Sequence, residues 1–101
     1  MNNIDIGEVK ELFQKLLDII ERFGDDTINI QKRVLQNILY IIEYEKDNDK
    51  KIIEIQREYL KLYPAHGGLS EFFIWCEDFE KRKSINEPLD AIRERLWEIF
   101  K

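Results

Sequence analysis

The sequence predicts an all-α protein, a small bundle of about four main helices folded as a single domain over residues 1–101. Three observations support this prediction. Apolar residues recur along most of the chain at the i, i+3, i+4, i+7 spacing of helices that bury one face. Only one stretch, residues 64–68, is rich in Gly and Pro. The length of 101 residues suits one domain and leaves no room for a second core.

The first predicted helix covers about residues 6–23. Asp5 can cap its start, and Gly24 stands where a residue in the left-handed α conformation would end it. Glu11 and Lys15 lie four residues apart with the acid first, the orientation that favours a helix. The apolar positions follow helical spacing and are Val9, Leu12, Phe13, Leu16, Ile19, Ile20 and Phe23.

A second helix is predicted after Asp25, Asp26 and Thr27, which offer a fresh N-cap. Its apolar stripe is wider than the first. With Leu39 and Tyr40 included, the stripe covers more than half of the helix circumference, which predicts a central helix with more than one neighbour. The other members of the stripe are Ile28, Val34, Leu35, Ile38, Ile41 and Ile42.

A third helix is predicted after the turn at residues 47–49, where Asp47, Asn48 and Asp49 can supply its cap. The helix should end near Tyr63, because Pro64 disfavours α geometry in the residue before it. Its apolar residues are Ile52, Ile55, Tyr59, Leu60 and Tyr63.

Residues 65–85 are predicted to be irregular or to contain a short helix. The Pro64–Gly68 stretch is typical of a loop. Apolar side chains that follow it fit helical spacing, whereas Phe72–Trp75 is the most strand-prone run, and a lone strand has no evident partner. The last helix then begins at Asn86, which can act as its N-cap, with Pro88 in the first turn, where the missing N–H is harmless. Its apolar residues are Leu89, Ile92, Leu96, Ile99 and Phe100.

The composition excludes several classes of protein. The 16 basic and 21 acidic residues give a formal net charge of −5 and a pI of about 4.9. This balance disfavours nucleic-acid binding through bulk charge, which needs clustered Lys and Arg. No apolar run approaches the roughly 18–20 residues of a membrane-spanning helix, and Met1–Asp5 lack the basic and apolar regions of a signal peptide. Because the single cysteine, Cys76, forms no disulfide within the chain, we expect a cytoplasmic protein.

No catalytic set, cofactor site or metal site is predicted, and we expect a protein without enzymatic activity. His66 and Cys76 are the only residues of their types, so a Cys–His nucleophile pair would need both. The apolar and acidic neighbours of Cys76 favour a buried thiol instead. A calcium loop that starts at Asp47 fails, because Lys51 and Ile52 occupy the positions that need an oxygen ligand and a glycine.

Most aromatic side chains in the last third of the chain are expected in the core, because aromatic residues dominate burial. Trp75 is the exception, since acidic residues flank it, and an exposed Trp among carboxylates is typical of a hot spot for a basic protein partner. The basic run at residues 81–83 is interpreted as a charge set at a helix C-terminus. The predicted partner-binding residues are His66, Glu71, Trp75, Glu77, Asp78 and Glu80.

Two segments in the last third of the chain carry a resemblance to a known family. They are Gly-Gly-Leu-Ser-Glu-Phe at residues 67–72 and Asn-Glu-Pro-Leu-Asp-Ala-Ile-Arg-Glu-Arg-Leu at residues 86–96. The order of these motifs resembles the ending of a family of small, uncharacterised helical bacterial proteins, which are similar to candidate immunity proteins encoded near polymorphic toxins. The resemblance implies a stand-alone helical protein and carries no catalytic residue.

The leading functional hypothesis is a non-enzymatic, cytoplasmic binding protein of the immunity or antitoxin type. It would lay an acidic face centred on aromatic residues over a basic toxin. An alternative is a small enzyme or ligand-binding domain with a pocket under the Pro64–Gly68 loop, in which His66 and either Glu77 or Asp78 are the polar groups. A third hypothesis is a homodimer or larger homo-oligomer formed through exposed aromatic surface.

Overall fold

Four α-helices form where the sequence repeats apolar residues at helical spacing. A computed structural model describes residues 4–65 and 68–100 of the chain. The helices are α1 (Ile6–Phe23), α2 (Asn29–Tyr44), α3 (Asn48–Leu60) and α4 (Phe79–Phe100), with 3-10 turns at Asp26–Ile28 and Leu69–Glu71. No strand occurs among the described residues, which confirms the predicted all-α bundle of four main helices. None of the described helices is long and apolar enough to cross a membrane.

Aspartate side chains cap α1, the 3-10 turn before α2, and α3. The Asp5 carboxylate accepts a hydrogen bond of 3.2 Å from a backbone N–H in the first turn of α1. Asp25 accepts one of 2.9 Å at the 3-10 turn that leads into α2, and Asp47 accepts one of 3.1 Å at the start of α3. Each bond satisfies an N–H group that the start of a helix leaves unpaired. The caps predicted at Asp5 and Asp47 are therefore confirmed, whereas Asp25 caps the 3-10 turn and α2 itself begins after Ile28 without a side-chain cap.

Gly24 follows α1, but in a different conformation from the predicted one. Its φ of −77° and ψ of 160° are extended backbone, so the prediction of a left-handed residue was wrong. A Cβ atom at this position would lie 2.5 Å from the carbonyl oxygen of Ile20 and 2.7 Å from Cγ2 of Ile28. Glycine is needed here because the next turn approaches the end of α1 closely.

Neighbouring helices run antiparallel in a bundle that measures 46 × 24 × 23 Å. Lys10, near the start of α1, lies 3.6 Å from the carboxylate of Glu43, near the end of α2. Arg95, near the end of α4, donates two hydrogen bonds of 2.9 Å to Glu8 at the start of α1. Helix α1 therefore packs against both α2 and α4, and α3 packs mainly against α2.

An aromatic cluster joins α1, α3 and α4. The ring of Tyr59 lies 6.4 Å from that of Phe13 and 5.2 Å from that of Phe100, measured between centroids. Tyr59 is only 2% exposed, and burial raises the pKa of its hydroxyl well above the ordinary value. The largest fully buried aliphatic side chains of the core are Leu16, Ile20, Leu35, Ile38, Ile55, Leu62, Leu69, Leu89 and Leu96.

Helix α2 packs against both α1 and α3, as its wide apolar stripe predicts. The buried face is nevertheless narrower than predicted, because Tyr40 is 62% exposed while Ile38 and Ile42 are buried. At 3.6 residues per turn, Tyr40 lies about 200° around the helix axis from each of these two residues. The three side chains cannot share one face, and Tyr40 is left in solvent.

The chain leaves α3 through i, i+3 hydrogen-bonded turns that reach Tyr63 and stop before Pro64, where the sequence predicts the end of the helix. The N–H of Leu69 then donates to the carbonyl of Leu62 at 2.8 Å. Gly68 has a φ of +73°, and a Cβ atom there would collide with the Pro64 ring. Only glycine fits this turn without strain.

Helix α4 begins at Phe79, well before the predicted start. Asp78 caps it by accepting hydrogen bonds of 2.9 and 3.2 Å from the N–H groups two and three residues further on. Residues 79–85 are thus regular helix, and the prediction that Asn86 caps the helix was wrong. Pro88 lies inside the helix, where it has no N–H to donate to the carbonyl of Ser84, an exposed residue four positions earlier.

Asn86 instead lies inside the bundle, 4% exposed, and pairs with a non-helical stretch of chain. Its Oδ1 accepts a hydrogen bond of 3.0 Å from the N–H of Ile74. Its Nδ2 donates to the carbonyl of Ile74 at 2.9 Å and to the carbonyl of Arg82 at 2.8 Å. One side-chain amide therefore satisfies both backbone groups of a buried residue that has no neighbouring strand.

Arg93 is the second side chain of α4 that holds this stretch. Its Nη1 donates to the carbonyls of Leu69 and Phe72 at 2.7 and 2.9 Å. Its Nη2 donates to Asp90 at 2.6 Å, and the Arg93 side chain is only 19% exposed. Hydrogen bonds from a charged donor are stronger than neutral ones. Residues 69–74 are thus fastened to α4 by two side chains.

We expect Asn86→Ala to lower the free energy of unfolding by about 2 kcal/mol or more, because it leaves the buried N–H and C=O groups of Ile74 without partners. Urea denaturation followed by circular dichroism measures this loss. Glu87→Ala, at the next and exposed position of the same helix, is the matched control and should change the free energy by less than about 0.5 kcal/mol. Equal stability of the two variants would contradict the role assigned to Asn86.

We also expect the contact between Glu8 and Arg95 to make stability depend on pH. The hydrogen bonds from Arg95 hold the pKa of Glu8 below its ordinary value. A carboxyl group whose pKa is lower in the folded chain stabilises the fold above its unfolded pKa, and this contribution is lost as the pH falls through the folded pKa.

Chemical denaturation of Glu8→Gln and wild type at a series of pH values tests this expectation. The variant should be less stable near neutral pH, and the difference should disappear once the pH lies below the pKa of folded Glu8. Glu21→Gln, an exposed position on the same helix, controls for the change in net charge. A stability difference that is independent of pH would refute this account of Glu8.

Candidate protein-binding surface

Residues 72–76 place side chains alternately toward the bundle and toward solvent. The stretch starts in extended backbone at Phe72, with φ −73° and ψ 126°. Ile74 is 6% exposed, whereas its neighbours Phe73 and Trp75 are 54% and 70% exposed. This alternation is typical of extended backbone. The attachment of Ile74 to Asn86 therefore directs both aromatic neighbours outward.

Arg82 holds the ring of Trp75 in place. Its guanidinium carbon lies 4.5 Å from the centre of the Trp75 ring and 5.4 Å from that of Phe79. Its Nη1 donates to the carbonyl of Cys76 at 3.3 Å. A cation over an aromatic ring contributes about 0.5–1 kcal/mol at exposed sites. We call the group formed by Trp75, Glu77, Phe79, Glu80 and Arg82 the Trp75 surface.

The predicted partner-binding residues lie in different settings. Glu77 and Glu80 are exposed, and their side chains have no hydrogen bond or ion pair with any other described residue. The carboxylate of Asp78 is exposed but engaged as the cap of α4. Glu71 lines a different cleft, described below, and His66 lies outside the described residues. Of the described residues in this set, Trp75, Glu77, Asp78 and Glu80 lie within six consecutive positions that lead into α4, whereas Glu71 lines the other cleft.

The charge of this region is mixed. Residues 81–83 lie in the first turns of α4, so their prediction as a charge set at a helix C-terminus was wrong. Their three bases offset the three acids at positions 77, 78 and 80. Basic side chains are unfavourable near the N-terminus of a helix, but Arg82 gains two ring contacts and a carbonyl acceptor. The Trp75 surface therefore presents an aromatic pair with charges of both signs.

Three further aromatic residues are exposed, although the sequence analysis predicts that they lie in the core. Phe73, Phe79 and Trp97 are 54%, 63% and 58% exposed, which corrects that prediction. Two features of the sequence could have indicated the exposure of Phe79 and Phe73. Phe79 and Arg82 stand at the i, i+3 spacing at which helical side chains meet, and apolar Ile74 lies between two aromatics in the period-two pattern of extended backbone.

A separate cleft of about 160 Å³ lies between the connection of α1 to α2 and residues 68–73. It is close to the Pro64–Gly68 loop, where the alternative hypothesis places a pocket, but Glu77 and Asp78 do not line it. No group of three or more His, Cys, Asp or Glu residues that could hold a metal ion occurs in the described part of the chain. The lining of the cleft includes three aromatic residues, Phe23, Phe72 and Phe73, and two acids, Asp25 and Glu71.

Comparison of the chain with protein-family models, with curated proteins and with solved structures finds no match. The resemblance in residues 67–72 and 86–96 therefore stays a prediction. Three residues of those segments have structural tasks in the fold, since Gly68 forms the tight turn while Asn86 and Arg93 hold the stretch that follows it.

We expect Arg82→Ala to release the Trp75 ring while the bundle stays folded, because Arg82 supplies the ring contact and the bond to Cys76. The steady-state heteronuclear NOE of the Trp75 indole N–H should fall, and that of Trp97 should stay constant as an internal reference. The free energy of unfolding should fall by about 0.5–1 kcal/mol. Lys83→Ala, an exposed neighbour in the same turn, is the control, and an unchanged Trp75 signal in Arg82→Ala would refute the contact.

Proposed function

We propose that this chain is a non-enzymatic, cytoplasmic protein-binding domain of the immunity or antitoxin type, and that the Trp75 surface covers a toxin partner. The observation that supports this most is the state of Trp75, which is 70% exposed and yet held by Arg82 at 4.5 Å. An aromatic side chain that is already ordered loses little conformational freedom on binding. Buried aromatic anchors of this kind dominate the free energy of many protein interfaces.

Charge supports a partner that is basic overall. The net charge of −5 attracts a basic protein over long distances and raises the rate of encounter. At close range, Glu77 and Glu80 can pair with Lys or Arg of the toxin. Lys81 and Lys83 would repel a uniformly basic patch, so the complementary toxin surface is basic with some acidic positions. Such repulsive elements restrict binding to the correct partner.

The immunity-type assignment rests on the resemblance of residues 67–72 and 86–96 to candidate immunity proteins. The same segments support the shape of the Trp75 surface, because Asn86 anchors Ile74 and Arg93 binds two carbonyls upstream. Trp75 itself lies between the two segments. Proteins that share them would share the scaffold, while the residues between them could vary with the toxin that each protein neutralises.

Co-expression with the product of each neighbouring gene tests this proposal. We expect one of these products to be a basic toxin that arrests growth alone and is neutralised by the wild-type chain. Trp75→Ala should abolish protection and weaken binding by about 30-fold or more, which corresponds to the loss of about 2 kcal/mol for a hot-spot residue. Isothermal titration calorimetry with the purified toxin measures the affinity.

Trp97→Ala is the matched control, because Trp97 is also an exposed Trp on the bundle but lies near the other end of α4. It should protect as well as the wild type. Full protection by Trp75→Ala, or a wild-type chain that neutralises no neighbouring gene product, would count against the proposal.

The cleft beside the Pro64–Gly68 loop supports a second candidate, a small ligand-binding or enzymatic domain. Its volume of about 160 Å³ leaves room for a small polar molecule between Phe23 and Phe73. A screen of small polar compounds by NMR would favour this candidate if shifts at these two residues disappear in Glu71→Gln. An absence of such shifts would leave the protein-binding proposal as the better one.

A further inference from the structure

A second exposed aromatic pair lies on α2. Tyr40 and Tyr44 stand four residues apart, their ring centroids are 4.6 Å apart, and they are 62% and 64% exposed. Together with Ile41, Glu45 and Glu54 they line a groove of about 270 Å³ between the end of α2 and the start of α3. We call this groove the Tyr40–Tyr44 groove.

The groove lies at the opposite end of the bundle from the Trp75 surface. Tyr44 is the last residue of α2, and the adjacent Glu43 pairs with the early part of α1. Helix α4 ends there too, because Arg95 binds Glu8 at the start of α1. The Trp75 surface surrounds the start of α4, so a ligand in the groove would not occupy it.

Both charged residues that line the groove are acids. Glu54 is half-buried and has no hydrogen bond or ion pair with any other described residue, and Lys50, one turn earlier on α3, forms no ion pair with it. Glu45 is also half-buried, and its carboxylate accepts a bond of 3.2 Å from the backbone N–H of Asp47. Two partly shielded carboxylates beside two aromatic rings favour the binding of a cation.

We propose that the Tyr40–Tyr44 groove binds an arginine side chain presented by a protein partner. The guanidinium group would stack on an exposed tyrosine ring and donate to Glu45 or Glu54. Arginine suits both tasks, because its planar fork stacks on aromatic faces and pairs with carboxylates through two N–H groups, whereas lysine offers a compact point charge. This site goes beyond the proposed function, since it does not depend on the Trp75 surface.

Other occupants fit the groove less well. An apolar helix over the tyrosines would remove water from Glu45 and Glu54 without supplying an opposite charge, which is costly. A second copy of this chain would bring its own net charge of −5 toward the same acids. A basic segment is complementary in charge, and the net charge of the protein attracts it before contact.

An NMR titration of the ¹⁵N-labelled chain with the peptide acetyl-Gly-Arg-Gly-amide tests this site. We expect saturable shifts centred on the backbone amides of Tyr40, Tyr44 and Glu54. A peptide with lysine in place of arginine should bind at least about three-fold more weakly. A peptide with uncharged citrulline should not bind detectably. The absence of saturable shifts in the groove, equally tight binding of either substituted peptide, or shifts centred on Trp75 would overturn the proposal.

Two variants test the groups that line the groove. Glu54→Gln keeps the size of the side chain and removes its charge, and it should weaken binding of the arginine peptide by about two- to five-fold, the range for an exposed ion pair. Tyr44→Leu should weaken it by a similar factor through loss of the ring face. Circular dichroism checks that both variants keep the helical fold.

Glu21→Gln is the control, because it removes the same charge from an exposed position near the end of α1, far from the groove. Its affinity for the peptide should equal that of the wild type, and equal weakening in Glu54→Gln and Glu21→Gln would overturn the assignment. A chain that fails to neutralise any toxin but still binds arginine in the groove would contradict only the proposed function.

Discussion

The pairing of the Asn86 side chain with the backbone of Ile74 is the contact on which the region around Trp75 depends. Residues 72–76 belong neither to a helix nor to a sheet, so their backbone groups need other partners. The amide of Asn86 offers both an acceptor and a donor, and it satisfies both groups of Ile74. Arg93 does the same for two carbonyls upstream. Helix α4 thus replaces the neighbouring strand that this stretch lacks.

This attachment explains how a small helical bundle can direct a large aromatic residue into solvent. With Ile74 held inward, Trp75 is directed into solvent, and Arg82 then covers one side of its ring. Under the proposed function, a side chain that already has contacts within the free protein would lose less conformational freedom on binding. The Tyr40–Tyr44 groove arises differently, from the angular position of Tyr40 on α2 and from two acids that α2 and α3 bring together.

The first three helices follow from rules that act within a few residues. Helix α1 spans the residues that its apolar spacing and the cap at Asp5 predict, and α3 begins at the predicted cap. Asn86 precedes Pro88 by two residues in the arrangement typical of a helix start, but it lies inside α4 and caps no helix. A side chain that can cap a helix can also form hydrogen bonds with other backbone groups. Asn86 pairs with the N–H and C=O of Ile74, because buried polar groups without partners are costly.

The sequence by itself determined the all-α class, the extent of α1, the aspartate caps of α1 and α3 and the net charge, because each depends on local spacing or on composition. Only the tertiary structure decided which aromatic residues reach solvent, where the last helix begins, and which charges lie beside Trp75 and in the Tyr40–Tyr44 groove. Those outcomes depend on pairs that lie far apart in the chain, such as Ile74 with Asn86 and Glu8 with Arg95. Helical periodicity reports which face of one helix is apolar, but it contains no information on which distant segment will cover that face.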